Sequence, residues 1–332
     1  MKFGFLIFKV SDVSNAFSYA ALADKLGFNS VWVPDEVPGK GFFDPYVLLG
    51  ALALKTKNVY LGTNITNPYT RHPALICSAF NTLYNMTGGR VIIGISVGGE
   101  YPFKPLRIPM WYKPLTAMKE SIEIINKLTS GEKVTYDGSV FQVEELELEP
   151  KPDKKIPIYV GARGPKMIQL AGRYADGILG SVPIPQIPYM IENLKHGAKK
   201  AKRDLSNFVI ANCIPFAVSK KREVAYDIIK FSIAIMFTLF NDKLIINSGV
   251  SIEKMNRIRK AISENNYELI KEEITDEEIN KFSIAGTVKD VYQRIIEMKE
   301  LGINLIMIQP PYGDSPEYAI EAVARSIIPN FK

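Results

Sequence analysis

The stretch Val59-Tyr60-Leu61-Gly62-Thr63-Asn64-Ile65-Thr66-Asn67-Pro68-Tyr69-Thr70-Arg71-His72-Pro73 decides how the chain is read. Residues 59–61 are apolar and short, the pattern of a buried strand. Residues 63–67 are small and polar at its carboxyl end. Pro73 opens an apolar-periodic run over 74–87, and proline suits a first helical turn because its missing N–H would have no partner there. A strand that spills polar residues into a loop and then a helix is half of a βα unit, where chemistry sits at the carboxyl end of the strand. The same residues also fit a βα loop with turn chemistry and no ligand, so the rest of the chain must decide.

The rest repeats the unit. Further strands are read at residues 2–8, 30–33, 91–96, 156–160, 177–181, 208–218 and 304–309. Helices are read at 16–26, 45–55, 115–129, 166–174, 189–202, 287–301 and 315–328. One signature recurs, an amphipathic helix, a glycine stop and a short apolar strand: Leu26-Gly27-Phe28-Asn29-Ser30-Val31-Trp32-Val33 and Leu301-Gly302-Ile303-Asn304-Leu305-Ile306-Met307. Largely continuous hydrophobic strands alternating with helices imply a parallel sheet covered by helices. Eight such units point to a closed (β/α)8 TIM barrel, an α/β fold spanning residues 1–332 as a single domain. A doubly wound open sheet is the alternative, and no Gly-x-Gly-x-x-Gly follows the first strand to favour it. Two excursions interrupt the rhythm. Residues 131–152 carry the Asp137-Gly138 turn signal of a hairpin. Residues 220–285 read as a helical insertion after strand seven, with helices over 223–240, 251–263 and 275–282.

Composition excludes several classes. Hydrophobic residues make up 47% of the 332, a globular content. The net charge is +6, but the lysines are spread over helix faces without interleaved aromatics, so a solvated surface is expected and not a nucleic-acid patch. A mild positive field favours an anionic cofactor. Cys77 and Cys213 lie in apolar runs and read as buried thiols without disulfide or metal spacing. Two histidines, His72 and His196, make no His-rich metal site. No signal peptide is read at the start, and the longest apolar run, 231–240, is too short to span a bilayer. A cytoplasmic protein with no nucleic acid and no membrane is the expectation.

In a barrel the strand ends converge on one mouth. Here they are Asp35-Glu36, residues 63–67, residues 96–100, residues 161–165, Ser181 and Gln309. This set holds carboxylates, hydroxyls, amides and glycines, with no nucleophile–base pair and no metal cluster. It suits a large cofactor held by backbone and short polar side chains. Asp35 and Glu36 are adjacent, and burial near an apolar cavity would raise one toward acid/base usefulness; a helix-cap Asp with a solvated Glu is the plainer reading. Glu100 follows Gly98-Gly99, where the backbone can approach a ligand closely; it is otherwise an exposed loop carboxylate. Gly161-Ala162-Arg163-Gly164 precedes a helix N-terminus, a ready anion site. Trp32 reads as core because it lies within a strand, and Trp111 as core or cavity wall.

Several segments together resemble the bacterial-luciferase-like flavin/deazaflavin superfamily. These are Met1-Lys2-Phe3-Gly4, residues 26–35, Thr66-Asn67-Pro68-Tyr69-Thr70-Arg71-His72-Pro73-Ala74, Gly88-Gly89-Arg90-Val91-Ile92-Ile93-Gly94-Ile95, Lys113-Pro114-Leu115, residues 156–165 and residues 171–177. The branch most alike uses coenzyme F420, as in methylenetetrahydromethanopterin reductase. The resemblance implies a deazaflavin lying across the strand ends, a non-prolyl cis peptide at Asn64-Ile65 with Ile65 as the wall behind the ring, and a homodimer. It further implies that Asp35, Thr66 and Asn67 line the cofactor, that Ser96, Val97 and Gly98 run beside it, and that Gly161, Ala162, Arg163 and Gly164 bind its polyanionic tail. Glu100 matches the acid of sugar-phosphate dehydrogenase relatives, so Asp35, Glu36 and Glu100 are the candidate catalytic residues. The chain departs from the reductase pattern at Leu6, where that branch has Glu, and at Glu36, where a His often follows the strand-two Asp. The implied activity is hydride transfer between the deazaflavin and a substrate left open. The alternatives are a two-component FMN monooxygenase on the same barrel and a non-catalytic flavin-binding protein.

Overall fold

Eight parallel strands close into a barrel in the computed structural model, which describes every residue except 37, 38, 40, 100–102, 105, 109–111 and 332. In chain order the strands are β1 (Lys2–Leu6), β2 (Ser30–Val33), β3 (Tyr60–Thr63), β4 (Val91–Ile95), β5 (Val134–Asp137), β6 (Gln142–Leu146), β7 (Ile158–Ala162), β8 (Gly177–Gly180), β9 (Val209–Asn212), β10 (Phe216–Val218), β11 (Ile284–Gly286), β12 (Leu305–Ile308) and β13 (Pro311–Gly313). Around the barrel the order is β1-β12-β9-β8-β7-β4-β3-β2. The helices are α1 (Val13–Lys25), α2 (Pro45–Lys55), α3 (Pro73–Thr87), α4 (Pro114–Thr129), α5 (Pro165–Tyr174), α6 (Ile187–Lys200), α7 (Arg222–Leu239), α8 (Asp242–Ile246), α9 (Ile252–Ser263), α10 (Tyr267–Glu273), α11 (Asp276–Phe282), α12 (Val288–Glu300) and α13 (Pro316–Ser326). The residues group into two compact units.

The first unit comprises Leu6–Gly180 and Asn193–Ile210. Its strand starts are tied down by side chains. The Asp24 carboxylate at the end of α1 accepts from the N–H groups of Lys57 (2.9 Å), Asn58 (2.7 Å) and Val59 (2.7 Å), which fixes where β3 begins. Asp44 caps α2 by accepting from Tyr46 N and Val47 N at 3.0 Å each. His72 caps α3, its Nδ1 accepting from Ala74 N at 3.2 Å. β3 and β4 run close together because glycine stands where they touch. A Cβ on Gly94 would lie 1.8 Å from the Thr63 carbonyl oxygen, and one on Gly62 2.8 Å from both the Ile92 carbonyl oxygen and the Trp32 ring. Trp32 is fully buried, as its place in a strand predicts, and its indole N–H donates to Ser30 Oγ at 2.7 Å. The hairpin β5–β6 is held by Glu120 of α4, which accepts from Ser139 N (2.8 Å), Val140 N (3.0 Å) and Phe141 N (2.9 Å). β7 begins at Ile158, two residues later than the sequence reading, because Pro157 has no N–H for the ladder. Cys77 is buried and burial pushes its thiol up to about 12.

The second unit comprises Met1–Phe5, Ser181–Glu192 and Ala211–Lys332. Here the strand expected over 208–218 proves to be two. β9 joins the barrel, whereas β10 leaves it to form a parallel three-stranded sheet of order β11-β10-β13. Pro215 separates them and cannot continue a donor ladder. The insertion carries the expected helices α7, α9 and α11 and two further ones, α8 and α10. Asn241 and Asn266 cap these by accepting from Leu244 N (2.9 Å) and Leu269 N (3.1 Å). Cys213, read as buried, is half-buried. No described helix is long and apolar enough to cross a membrane.

Candidate active site

The carboxyl end of β3 folds outward and back. Asn64 N donates to the Val33 carbonyl at 2.8 Å, Thr66 N to Gly94 O at 2.9 Å and Ser96 N to Thr66 O at 2.9 Å. Between those anchors the Asn64–Ile65 peptide bond is cis, at the position the family resemblance gave. Ile65 projects over the end of β7: a Cβ on Gly161 would stand 2.8 Å from Ile65 Cδ1 and 3.1 Å from Ser96 Cβ. Ser96 Oγ in turn donates to the Gly161 carbonyl at 2.7 Å. The structure therefore brings Ile65, Ser96 and Gly161 together from three different strand ends, with a half-buried isoleucine as an apolar wall.

Thr66 sits beside Asp35, at the end of β2. Its hydroxyl donates to Asp35 Oδ2 at 2.7 Å and pairs with the Tyr46 hydroxyl at 2.6 Å. A threonine hydroxyl has one proton, so with that proton on Asp35, Tyr46 must donate to Thr66. The string runs Tyr46 to Thr66 to Asp35. Burial pushes the Tyr46 phenol up to about 12, which keeps it a donor at neutral pH. The Arg71 guanidinium lies 3.8 Å from the Tyr46 ring centroid, and its Nη1 is buried without a hydrogen-bond partner. Asp35 is 9% exposed, and burial lifts its carboxyl above the ordinary range against the Thr66 hydrogen bond; Asp44 adds to the lift and Arg71 opposes it.

Glu36 is half-buried next to Asp35. Burial and the Asp35 charge raise its carboxyl to about 7, with the Arg163 charge pulling the other way. A carboxyl poised there can hold or release a proton at neutral pH. Arg163 follows Ala162, the last residue of β7, so strands two and seven place one carboxylate and one guanidinium within reach of each other's field.

The remaining candidates divide. Asn67 is buried, and its Oδ1 closes the loop by accepting from Tyr69 N (3.0 Å) and Thr70 N (2.9 Å). Val97 and Gly98 continue from Ser96; Gly98 has φ +72°, and a Cβ there would lie 2.5 Å from the Phe103 ring. Ala162 is buried, and Gly164 is the N-cap of α5 without a side-chain cap. Glu100 and Trp111 lie outside the described residues. Among the described residues no group of three or more His, Cys, Asp and Glu could hold a metal. Tyr46 was not legible as a site residue, since in sequence it is only the second residue of a proline-initiated helix. Arg71 appeared in the deciding stretch without a role.

Two features fit a polyanionic planar cofactor. Glycine at 161 lets Ile65 and Ser96 pack on the end of β7, where a Cβ would stand only 2.8 Å from Ile65 Cδ1, so Ile65 is held in place as an apolar wall for a planar ring. The uncapped N-terminus of α5 offers backbone N–H groups beside Gly164, where nothing lies within 4 Å of a would-be Cβ.

Comparison with known proteins agrees with this geometry. Residues 1–305 match the family described as luciferase-like monooxygenase. A 5,10-methylenetetrahydromethanopterin reductase of Archaeoglobus fulgidus is 34% identical, over 95% of this chain and 95% of that protein. One of Methanolobus tindarius is 33% identical over 99% of this chain and 100% of its own length. The solved structure of a coenzyme F420 dependent tetrahydromethanopterin reductase from Methanopyrus kandleri is similar with TM-score 0.93 at 28% identity, covering 100% of this chain and 99% of that one.

Proposed function

The chain belongs to the luciferase-like monooxygenase family, and from that premise we propose that it is a coenzyme F420-dependent oxidoreductase. It transfers hydride between the deazaflavin and a small organic substrate, resembling 5,10-methylenetetrahydromethanopterin reductase. The observation that carries this reading is the apolar wall made by Ile65 over Gly161, with the carboxylates of Asp35 and Glu36 on neighbouring strand ends. When bound, the deazaflavin supplies or accepts hydride at its ring carbon C5. Ile65 would be the wall behind the ring, Ser96, Val97 and Gly98 would run beside it, and Asn64 and Asn67 would shape the loop that holds it. Gly161, Ala162, Arg163 and Gly164 take the anionic tail through backbone N–H groups and one cation. Glu36 holds the proton exchanged with substrate at its carboxyl oxygen. Asp35, fixed by the Thr66 hydroxyl, keeps a second carboxylate oriented beside it.

Leu6, buried at the end of β1, offers no carboxylate, so substrate selection falls to other residues of the mouth. The same reading takes residues 1–332 as one domain of a cytoplasmic homodimer. Titration of the purified protein with coenzyme F420 and, separately, with FMN, followed by fluorescence at matched salt, tests it. Tight F420 binding and weak FMN binding is the expected result. The reverse would move the protein to the two-component FMN monooxygenases.

A further inference from the structure

The barrel wall carries a second recess that the proposed chemistry does not use. It is a cleft of about 330 Å³ between α4 and α5, lined among others by Leu115 and Lys119 of α4 and by Lys166, Gln169, Leu170 and Arg173 of α5. The α5 residues recur at spacings of three and four, so they lie on one face of that helix. No acidic side chain lines the cleft among the described residues. Lys119 pairs with Glu123 at 3.6 Å, but their side chains are 48% and 29% exposed, and such a pair holds the lysine only weakly. Lys166 is exposed, two residues beyond the Gly164 N-cap. Arg173 is half-buried, and its Nε is buried with no hydrogen-bond partner.

The Arg173 guanidinium has no protein acceptor at its Nε, so its charge at the cleft wall is not neutralised there by a hydrogen-bonded carboxylate. The cations are not bunched as for one compact anion. Lys166 and Arg173 are seven residues apart, about 10 Å along a helix at 1.5 Å per residue. Lys166, which lines the cleft, is two residues past the Gly164 N-cap, so an anionic chain held at Gly164 has a cation of the cleft within one helical turn.

We propose that this cleft binds the distal part of the coenzyme's polyanionic tail, an extended chain bearing several anionic groups, with Lys166 first, Lys119 beside it and Arg173 at the far end. The inference rests on the F420 reading above and adds a binding site to it. Gln169 is not the recognition element, because its amide nitrogen already donates to Asn193 Oδ1 at 2.9 Å.

Fluorescence titrations of the coenzyme and of the tail-less deazaflavin riboside provide the test. They use the wild-type chain, the exposed-site variant Lys166→Glu and the double variant Lys166→Gln with Arg173→Gln, each checked by thermal melting. The coenzyme is expected to bind the variants about tenfold more weakly, the sum of two partly exposed charge contacts, and with a shallower dependence on salt. The riboside should bind all three proteins alike. Unchanged coenzyme affinity in Lys166→Glu, or an equal loss for the riboside, would overturn the inference while leaving the cofactor reading intact. A wild-type chain that does not bind the coenzyme at all would overturn both.

Discussion

Replacing Thr66 by Val isolates the hydrogen-bonded string at the mouth. The two side chains are nearly isosteric, so the packing of this fully buried position is kept while the hydroxyl is lost. Two bonds disappear: the 2.7 Å donation to Asp35 Oδ2 and the 2.6 Å bond from Tyr46. A hydrogen bond to a charged group contributes about 1.5–3 kcal/mol and a neutral one about 1 kcal/mol. The loss therefore depends on whether Asp35 is ionised. Burial already raises its carboxyl above the unfolded value of 3.8. The folded chain thus binds the proton more tightly than the unfolded one, and the Asp35 contribution to stability falls as pH rises through the folded pKa. Without Thr66 the carboxylate is worse accommodated, so that pH-dependent fall becomes steeper. Denaturant unfolding of both proteins should give a stability difference of about 1–2 kcal/mol at pH 4, growing to about 3 kcal/mol at pH 8. A difference that stays flat with pH, or shrinks as pH rises, would refute the assignment of Thr66 as donor to an ionisable Asp35.

Glu36→Gln removes a group held near 7. Its folded pKa exceeds the unfolded value of 4.5, so wild-type stability should decline as pH rises from about 4.5 to 7 while the variant's melting temperature stays flatter; turnover should lose its neutral-pH inflection in the same variant. Gly161→Val places branched carbons against Ile65 and Ser96, displaces the Ile65 wall and should weaken coenzyme binding at least about tenfold with the fold retained by circular dichroism; unaltered affinity would show that the packing of Ile65 on Gly161 does not shape the coenzyme site. Glu120→Ala strands three backbone N–H groups of the hairpin and should cost about 2–4 kcal/mol in urea unfolding; a cost below about 0.5 kcal/mol would mean that water replaces it.

How much of this was legible depends on the range of the interaction. The βα rhythm was readable because proline and glycine punctuate it locally, at Pro45, Pro73, Gly27 and Gly302, and because buried parallel strands are continuously apolar. The gathering of residues 64–67, 96–98 and 161–164 followed from the barrel alone, since strand ends must meet. Tyr46 is different. Its partner Thr66 is twenty residues away and belongs to the next βα unit, and nothing in a helix's second residue announces a phenol aimed at a loop. The charge state of Glu36 needed burial beside Asp35 and Arg163, which sequence suggests only as adjacency. The split of β9 from β10 was marked by Pro215, but in an otherwise apolar run its effect on the ladder shows only once the partner strands are known. β11 and β13 have three residues each, too few for a period.

The small sheet at the base of the insertion limits how this protein can be remodelled. β10 and β11 run parallel, with Phe216 opposite Ile284 and Val218 opposite Gly286. The chain leaves at one end of that pair and re-enters at the other. A graft or deletion that trims residues 219–283 to a tight reverse turn is therefore geometrically barred, since parallel neighbours need a crossover of a dozen residues or more. The insertion can shrink by whole helices and diversify in sequence, but it cannot vanish without β11 reversing direction or leaving the sheet. A shortened chimera of this barrel must keep a return path the length of the strand.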